Sequence, residues 1–250
     1  MTYLVIGVVA FISEYLDSGL GMGYGTALTP ILILMGFNPL QVVPAVLISQ
    51  FFTDVAACIS HHKMYNVDLK PGSPDFKAAI LLGMMSVIGV VIAVVLAIKI
   101  PKWILTLYIG LLVASMGALV LYTINRPMKF SWKKLMGVSL LASFNKGISG
   151  GGYGPLVMGG QMLSGVHVKN AVGITAFAEA ITCFVGFLVY FFSGKAIDWK
   201  LTGLLVLFAT GAVPIAAMTV KNTNSGPLKK YVGILMILLG LLTLTKIAGS

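Results

Sequence analysis

Residues 18–26 read SGLGMGYGT and residues 147–155 read GISGGGYGP, so the chain carries the pattern Gly-x-Gly-Tyr-Gly twice. The two copies lie 129 residues apart, and each stands inside a strongly apolar stretch. An interior glycine makes an α-helix about 1 kcal/mol less stable than alanine does. The two stretches therefore predict interruptions of helical structure at matching places in two halves of the chain.

The correspondence between the halves continues beyond the glycines. With the same shift of 129 residues, other pairs of identical residues also align: Leu34 with Leu163, Gly36 with Gly165, Val43 with Val172 and Thr53 with Thr182. Further along, a smaller shift aligns Tyr108 with Tyr231, Gly110 with Gly233 and Gly117 with Gly240. We therefore predict two homologous membrane repeats, residues 1–125 and 135–250, joined by a basic cytoplasmic linker at 126–134.

The composition is that of a membrane protein. Of the 250 residues, 58% are hydrophobic and 10% are charged, and the mean hydropathy is +0.99. A soluble domain has about 25% charged residues, and a segment of about 20 apolar residues is long enough to cross a bilayer. Such segments recur along the chain, which predicts an all-α polytopic membrane protein.

The charge and the cysteines exclude other classes. The net charge of +10 comes mostly from basic residues in short loops, where they set membrane orientation, so no nucleic-acid partner is expected. Cys58 and Cys183 lie in apolar stretches without metal-ligand spacing, and we expect no metal site and no cofactor. His61 and His62 stand at the end of a segment, where we expect them to be solvated.

Each repeat contains an interrupted apolar segment followed by three continuous ones. The predicted segments are 2–18 with 25–36, then 39–61, 77–98 and 102–124, and 134–145 with 154–164, then 168–193, 199–220 and 228–246. The pieces around the glycine loops are too short to cross a bilayer at 1.5 Å per residue. Each pair is either one broken helix, with parallel repeats, or a re-entrant hairpin, with inverted repeats. The short pieces favour hairpins.

The glycine loops are candidate anion sites. A short helix follows each loop, and the free N–H groups and positive dipole at a helix start attract anions. Discontinuous helices form substrate sites in this way in transporters built from repeats. The alternative is helix packing through small residues, as in Gly19-x-x-x-Gly23. The residues expected to bind substrate are Gly21, Met22, Gly23, Tyr24, Gly25, Thr26, Asn145, Lys146, Ser149, Gly150, Gly151, Gly152, Tyr153 and Gly154.

Charged residues in the apolar segments sharpen this hypothesis. A lysine in a bilayer costs roughly 2.5–3.5 kcal/mol, so Lys146 should face a cavity, an acid or an anion. Its counterpart in the first repeat is Asp17, which we expect to be solvated near a surface, as is Glu14. The residues expected to line the site or to carry a coupling ion such as a proton are Gln50, Asp54, Thr175 and Glu179.

The segments GLGMGYGTALTP and NKGISGGGYGPLV, in two halves of a chain of this length, resemble the TauE/SafE family of sulfite exporters. The resemblance extends over nearly the whole chain. It implies a carrier in a bacterial-type inner (plasma) membrane, with small sulfur-containing anions such as sulfite, thiosulfate, sulfoacetate and other sulfonates as substrates. Met22 stands where the second loop has Gly151, and the first repeat has no match to Lys146, so the two sides of the site should differ.

Two other functions compete with this one. The stretch GISG fits the Gly-x-Ser-Gly pattern of rhomboid intramembrane proteases, but the membrane helices after Ser149 lack the histidine base that such a serine needs. An uncoupled anion channel would use the same loops without coupling acids. We therefore predict a secondary transporter rather than an enzyme, with alternating access around the paired loops.

Overall fold

The computed structural model describes residues 2–123, 132–163, 166–222 and 226–248, and their regular structure is entirely α-helical. The ten helices are α1 Thr2–Leu20, α2 Tyr24–Leu34, α3 Pro39–Lys63, α4 Pro74–Ala97, α5 Lys102–Thr123, α6 Trp132–Ser149, α7 Tyr153–Leu163, α8 Val168–Phe192, α9 Trp199–Asn222 and α10 Gly226–Ala248. This confirms the predicted all-α fold. Most of the predicted linker at 126–134, and Gly165, lie outside the described residues.

Local sequence signals set where the long helices begin. Asn38 precedes Pro39, and its side-chain oxygen accepts a hydrogen bond from the Leu40 amide at 3.2 Å. Ser73 precedes Pro74 in the same way and caps α4. An Asn or Ser cap satisfies a free amide of the first turn, and proline fits that turn because it has no N–H to satisfy.

Six of the described helices are long and apolar enough to cross a membrane, by length and composition: α1, α3, α4, α5, α8 and α9. Helices α2 and α7 have 11 residues each, or about 16 Å at 1.5 Å per residue, which is too short. The protein is therefore a polytopic membrane protein, with short helices beside the two glycine loops.

The helices pack in a pattern with two-fold symmetry. Helix α1 packs along α9, and its counterpart α6 packs along α4, the counterpart of α9. The counterparts α3 and α8 pack on each other, and so do α5 and α10. In a two-fold interface each contact is matched by its symmetry mate. The two halves are therefore interleaved, because the first helix of each lies against the other half.

The equivalent helices α5 and α10 run antiparallel. A Cβ atom on Gly110 would lie 3.1 Å from the Gly240 carbonyl oxygen, and one on Gly117 would lie 2.5 Å from that of Gly233. Residue numbers therefore rise on α5 as they fall on α10. Equivalent helices that are antiparallel require a two-fold axis perpendicular to them, which favours inverted over parallel repeats. The direction of each half across the bilayer stays a prediction.

Helices α6 and α7 form a hairpin with the second glycine loop at its tip. A Cβ atom on Gly152 would lie 3.3 Å from Asn145 Cβ, and one on Gly160 would lie 3.2 Å from Val138 Cγ1. Residues near the loop on α6 and α7 therefore contact each other, and so do residues far from the loop. The pair is a helical hairpin rather than one broken span.

Helices α1 and α2, on either side of the first glycine loop, also pack together. Leu28 and Leu32 of α2 belong to the same buried cluster as Ile6 and Ala10 of α1. Both α1 and α6 continue past their predicted ends at residues 18 and 145. In α6 the reason is packing: Gly147 lies inside the helix because a Cβ atom there would come within 2.7 Å of Ala93 Cβ.

Candidate functional site

The tips of the two hairpins touch through their backbones. A Cβ atom on Gly25 would overlap the Gly150 carbonyl group, and one on Gly154 would overlap that of Gly21. One on Gly151 would lie 2.7 Å from the Gly25 carbonyl carbon. Only glycine fits at these three positions, so the loops cross without side chains between them.

The loop conformation also requires glycine, and it is repeated in both halves. Gly21 and its equivalent Gly150 have φ angles of 69° and 72°, and Gly23 and its equivalent Gly152 have φ angles of 140° and 78°. Residues other than glycine rarely adopt such φ angles. By contrast, nothing lies within 4 Å of a Cβ atom placed on Gly19. The contacts are therefore made between each glycine loop and the first turn of the opposite short helix, and Gly19 takes no part in them.

Several loop amides already have protein partners. The Tyr24 amide donates to Asp17 Oδ1 at 3.1 Å, and the Gly152 amide donates to Thr26 Oγ1 across the crossing at 2.9 Å. The Gly151 amide donates to Ser149 Oγ at 3.0 Å. These groups belong to the expected anion cradle, and an anion would reach them only after those bonds break. The described conformation is thus closed at the loops.

Lys146 lies in the last turn of α6 with only 1% of its surface exposed. Its Nζ lies 2.7 Å from Glu179 Oε1 and also donates to the Gln50 side-chain carbonyl oxygen. The structure thus brings together three of the residues singled out in the sequence, from α6, α8 and α3. A buried lysine needs such a counter-charge, because a buried unpaired ion is strongly unfavourable.

Gln50 links the two halves at the centre of the network. Its Nε2 donates to Asp17 Oδ2 at 3.1 Å and to Glu179 Oε1 at 3.0 Å. Gln50 and Glu179 are equivalent residues, each the twelfth of a 25-residue helix. Asp17 and Lys146 are also equivalent. One half therefore pairs Gln50 with Asp17, the other pairs Glu179 with Lys146, and the network lies near the middle of both long helices.

The acids of α1 lie in the interior of the protein, so the expectation that they are solvated was wrong. Glu14 is fully buried, Asp17 is 7% exposed and Asp54 is 2% exposed. The reason is the interleaved fold, since α1 lies between the halves and its loop end reaches the centre of the long helices. Glu14 Oε2 and Asp54 Oδ2 accept no hydrogen bond within the described residues.

A small cavity adjoins the acids. It has a volume of about 10 Å³, room for roughly one water molecule, and its polar lining includes Asp17, Ser18, Asp54, Thr175 and Glu179. One carboxylate oxygen from each of the three acids lies within 4.8 Å of the other two. Within the described residues, this is the group whose side chains could hold a metal ion.

The remaining residues that were expected to form the site make hydrogen bonds or packing contacts within the protein. Tyr24 and Tyr153 are completely buried, and their hydroxyls meet Ser49 at 2.8 Å and Ser86 at 2.9 Å. Ser149 Oγ donates to the Asn145 carbonyl at 2.7 Å, which makes it a helix-end cap rather than a nucleophile. Met22 is buried at the crossing, Thr175 accepts a hydrogen bond from Gln161, and Asn145 accepts one from Tyr108.

One pair of equivalent contacts could not be found by comparing the sequences of the two halves. His61 Nε2 lies 2.9 Å from the Ser18 carbonyl oxygen, and the Tyr190 hydroxyl donates to that of Gly147 at 3.0 Å. Each residue is equivalent to its counterpart by the shift of 129. His61 is fully buried, so its expected solvated position was wrong. Sequence identity between the halves could not reveal this match, because a histidine in one half and a tyrosine in the other contact the equivalent backbone carbonyl.

The fold and the site define a membrane transport protein, with a buried lysine and several acids held between two interleaved halves. The chain belongs to the sulfite exporter TauE/SafE family, which residues 5–244 match. It is 25% identical over 254 residues to the probable membrane transporter protein YtnM of Bacillus subtilis, covering 96% of this chain and 82% of that protein. It is 29% identical over 211 residues to the probable membrane transporter protein ORF9 of a Sinorhizobium species, covering 80% of this chain and 75% of the relative. The protein is therefore a multi-pass transporter of the plasma membrane and not an enzyme.

Proposed function

We propose that the protein is a secondary transporter of small sulfur-containing anions, such as sulfite or organosulfonates, and that Lys146 binds the anion between the two halves. The observation that carries this proposal is the position of the Lys146 ammonium group. Lys146 is 1% exposed and lies in the last turn of α6, just before the second glycine loop. Its ammonium group donates to Gln50 of α3 and Glu179 of α8.

In the Lys146–Glu179 pair, the Glu179 carboxylate occupies a position that an anionic substrate can take. A sulfite or sulfonate group offers negatively charged oxygens, as the Glu179 carboxylate does at 2.7 Å. Hydrogen bonds between charged groups are about twice as strong as neutral ones. Substrate can therefore replace Glu179 without leaving the ammonium group unpaired, provided that the carboxylate gains another partner.

Binding requires the halves to separate at the loop crossing. The cavity of about 10 Å³ accommodates roughly one water molecule, which is smaller than a sulfite or sulfonate group. Separation breaks the bond between Gly152 and Thr26 and releases an amide that points toward the crossing. Repeat-built transporters open alternately to the two sides by moving one repeat unit against the other.

The ion pair also favours a carrier over an uncoupled channel. A pore would need a permanent path past the crossing, where the backbones of Gly25 and Gly150 are in contact. A carrier needs only a local exchange of partners at Lys146 in each cycle. The two mechanisms differ in a measurable way, because a carrier shows saturable flux and exchange of labelled for unlabelled anion.

The test is flux into liposomes that contain the purified protein, with sulfite, thiosulfate, sulfoacetate, sulfate and acetate compared. We expect saturable uptake and counterflow of at least one sulfur-containing anion, and a loss of more than ten-fold in Lys146→Met. The matched control is Lys195→Met, which removes a lysine from an exposed position and should keep wild-type flux. Wild-type flux in Lys146→Met would contradict the proposal.

A further inference from the structure

We propose that Asp17, Asp54 and Glu179 form a binding site for a hard cation of sodium or calcium size, which is bound together with the transported anion. The existence of the site follows from its own geometry. Its role in coupling rests on the proposed function of Lys146.

The three carboxylates converge from three helices on one small cavity. One oxygen of each lies within 4.8 Å of the other two, and all three residues line the cavity. Calcium binds oxygen ligands at about 2.3–2.6 Å, which places ligands on opposite sides of the ion roughly 5 Å apart. Sodium has a similar radius. One ion of this size can therefore contact all three carboxylates.

Asp54 independently indicates a missing ligand. It is 2% exposed and lines the cavity, yet its Oδ2 atom accepts no hydrogen bond from the described residues. Buried polar atoms nearly always have a partner, so an exception calls for an explanation. A cation in the cavity would satisfy this oxygen directly.

The charges around the cavity favour a cation. Asp17 of α1, Asp54 of α3 and Glu179 of α8 line the cavity. Around these residues, Glu14 accepts a hydrogen bond from the lining residue Ser18, His61 contacts the Ser18 carbonyl oxygen, and Lys146 is paired with Glu179. Four acids therefore stand against one lysine. Magnesium is a poor fit, because it holds its ligands at about 2.0–2.1 Å and usually retains several waters, for which a cavity of about 10 Å³ has no room.

Glu179 connects the cation site to the anion site. Its Oε1 atom is bound to Lys146 Nζ at 2.7 Å, while the residue also lines the cavity. A cation that draws this carboxylate towards Asp17 and Asp54 leaves Lys146 without its counter-charge. The anion then takes the vacated place. Binding of cation and anion is therefore mutually favourable, and linkage requires the effect to be equal in both directions.

The first experiment measures cation binding without any sulfur anion. The melting temperature of the purified wild type is followed in choline chloride, with NaCl, LiCl, KCl, CaCl2 or MgCl2 exchanged in at constant ionic strength. A ligand that binds only the folded state raises this temperature. We expect a rise of several degrees with Na⁺ or Ca²⁺, and the two arms distinguish which ion is bound.

Two variants identify the site. Asp54→Asn removes one ligand charge and should abolish the cation effect. Asp198→Asn is the matched control, because Asp198 caps α9 through the Leu201 amide at 2.9 Å and asparagine can cap equally well. It should keep the full shift. Circular dichroism and the melting temperature in choline chloride show that Asp54→Asn is folded, and Asp17→Asn serves if it is not.

Three results would overturn the cation site: no shift in wild type with any of these ions, an equal shift in Asp54→Asn, or a shift produced only by acidification, which would assign the cluster to protons. The second experiment measures the affinity for the transported anion with and without the cation. We expect binding about ten-fold tighter with it. A cation shift without a change in anion affinity would contradict the coupling but leave the cation site standing, and failure of anion binding alone would count against the proposed function only.

Discussion

Gln50 and Glu179 occupy equivalent positions in the two halves and are hydrogen-bonded to each other, with Gln50 Nε2 3.0 Å from Glu179 Oε1. The bond therefore joins the two halves of the chain directly. Two glutamates here would place like charges side by side. The amide instead donates to Glu179 and Asp17 while its oxygen accepts from Lys146. The substitution of one symmetric partner by an amide thus makes a stable network out of an otherwise repulsive pair.

Replacing Gln50 by glutamate should destabilise the protein. The variant loses the donor that serves two carboxylates and adds a negative charge to a buried cluster. An unsatisfied buried polar group costs about 1–3 kcal/mol, and 1 kcal/mol shifts the melting temperature of a chain this long by roughly 2–4 °C. The measurement is thermal unfolding in detergent. Gln50→Leu, which removes the donor without adding charge, should lose less, and an equal loss in both would show that charge plays no part.

Removing Lys146 should damage stability and transport separately. Lys146→Met leaves Glu179 buried without its counter-charge, and breaking a buried pair in this way typically costs about 3–5 kcal/mol. The double variant Lys146→Met with Glu179→Gln removes both charges and should recover most of that stability.

Anion flux should stay absent in the double variant, because the group that binds substrate is missing. Unfolding measurements and liposome flux on all four proteins of the cycle separate the two effects. Recovery of flux together with stability would mean that Lys146 acts only as a structural partner of Glu179.

The loop crossing should reject any side chain. Gly25→Ala places a methyl group onto the Gly150 carbonyl, so the hairpin tips must move apart, and we expect a clear fall in melting temperature with flux impaired. Gly19→Ala is the matched control, since its added Cβ atom meets nothing within 4 Å and alanine favours a helix by about 1 kcal/mol. It should be neutral or stabilising. Equal tolerance of both substitutions would refute the backbone contact.

The hydroxyl of Thr26 should matter more than its methyl group. Thr26→Val keeps the shape but leaves the buried Gly152 amide without its acceptor, at a cost of about 1–3 kcal/mol. Thr26→Ser keeps the acceptor and should lie close to wild type. Because this bond joins the two halves, we expect Thr26→Val also to shift the balance towards open conformations, read as faster hydrogen exchange of the loop amides. Identical behaviour of the valine and serine variants would contradict this.

Much of the fold could be predicted from local features of the sequence. The lengths of the apolar segments predict where the helices lie, and the repeated glycines predict the interruptions at matching places in the two halves. A lysine beside a glycine loop in an apolar segment was enough to predict that Lys146 is buried with a partner, and Glu179 was a named candidate. The structure brings the two within 2.7 Å.

The burial of Glu14 and Asp17 could not be predicted in the same way. It depends on which helices lie beside α1, and those contacts are made with α9 of the other half. Apolar periodicity shows that a face is buried but not what covers it. The grouping of Asp17 with Asp54 and Glu179 could not be predicted for the same reason, because the three acids are far apart in sequence and lack the spacing of a metal motif.

The interleaved packing of α1 against α9 has a consequence for how the protein is made. Helix α9 emerges from the ribosome only after α2 to α8, and synthesis at about 5–20 residues per second leaves α1 waiting on the order of 10 s. During that time α1 lacks the helix that packs along it in the finished fold. The nascent chain therefore keeps one face of α1 uncovered until its last fifth, which contains α9 and α10, has been inserted. A chain cut short before α9 would leave that face without its partner helix.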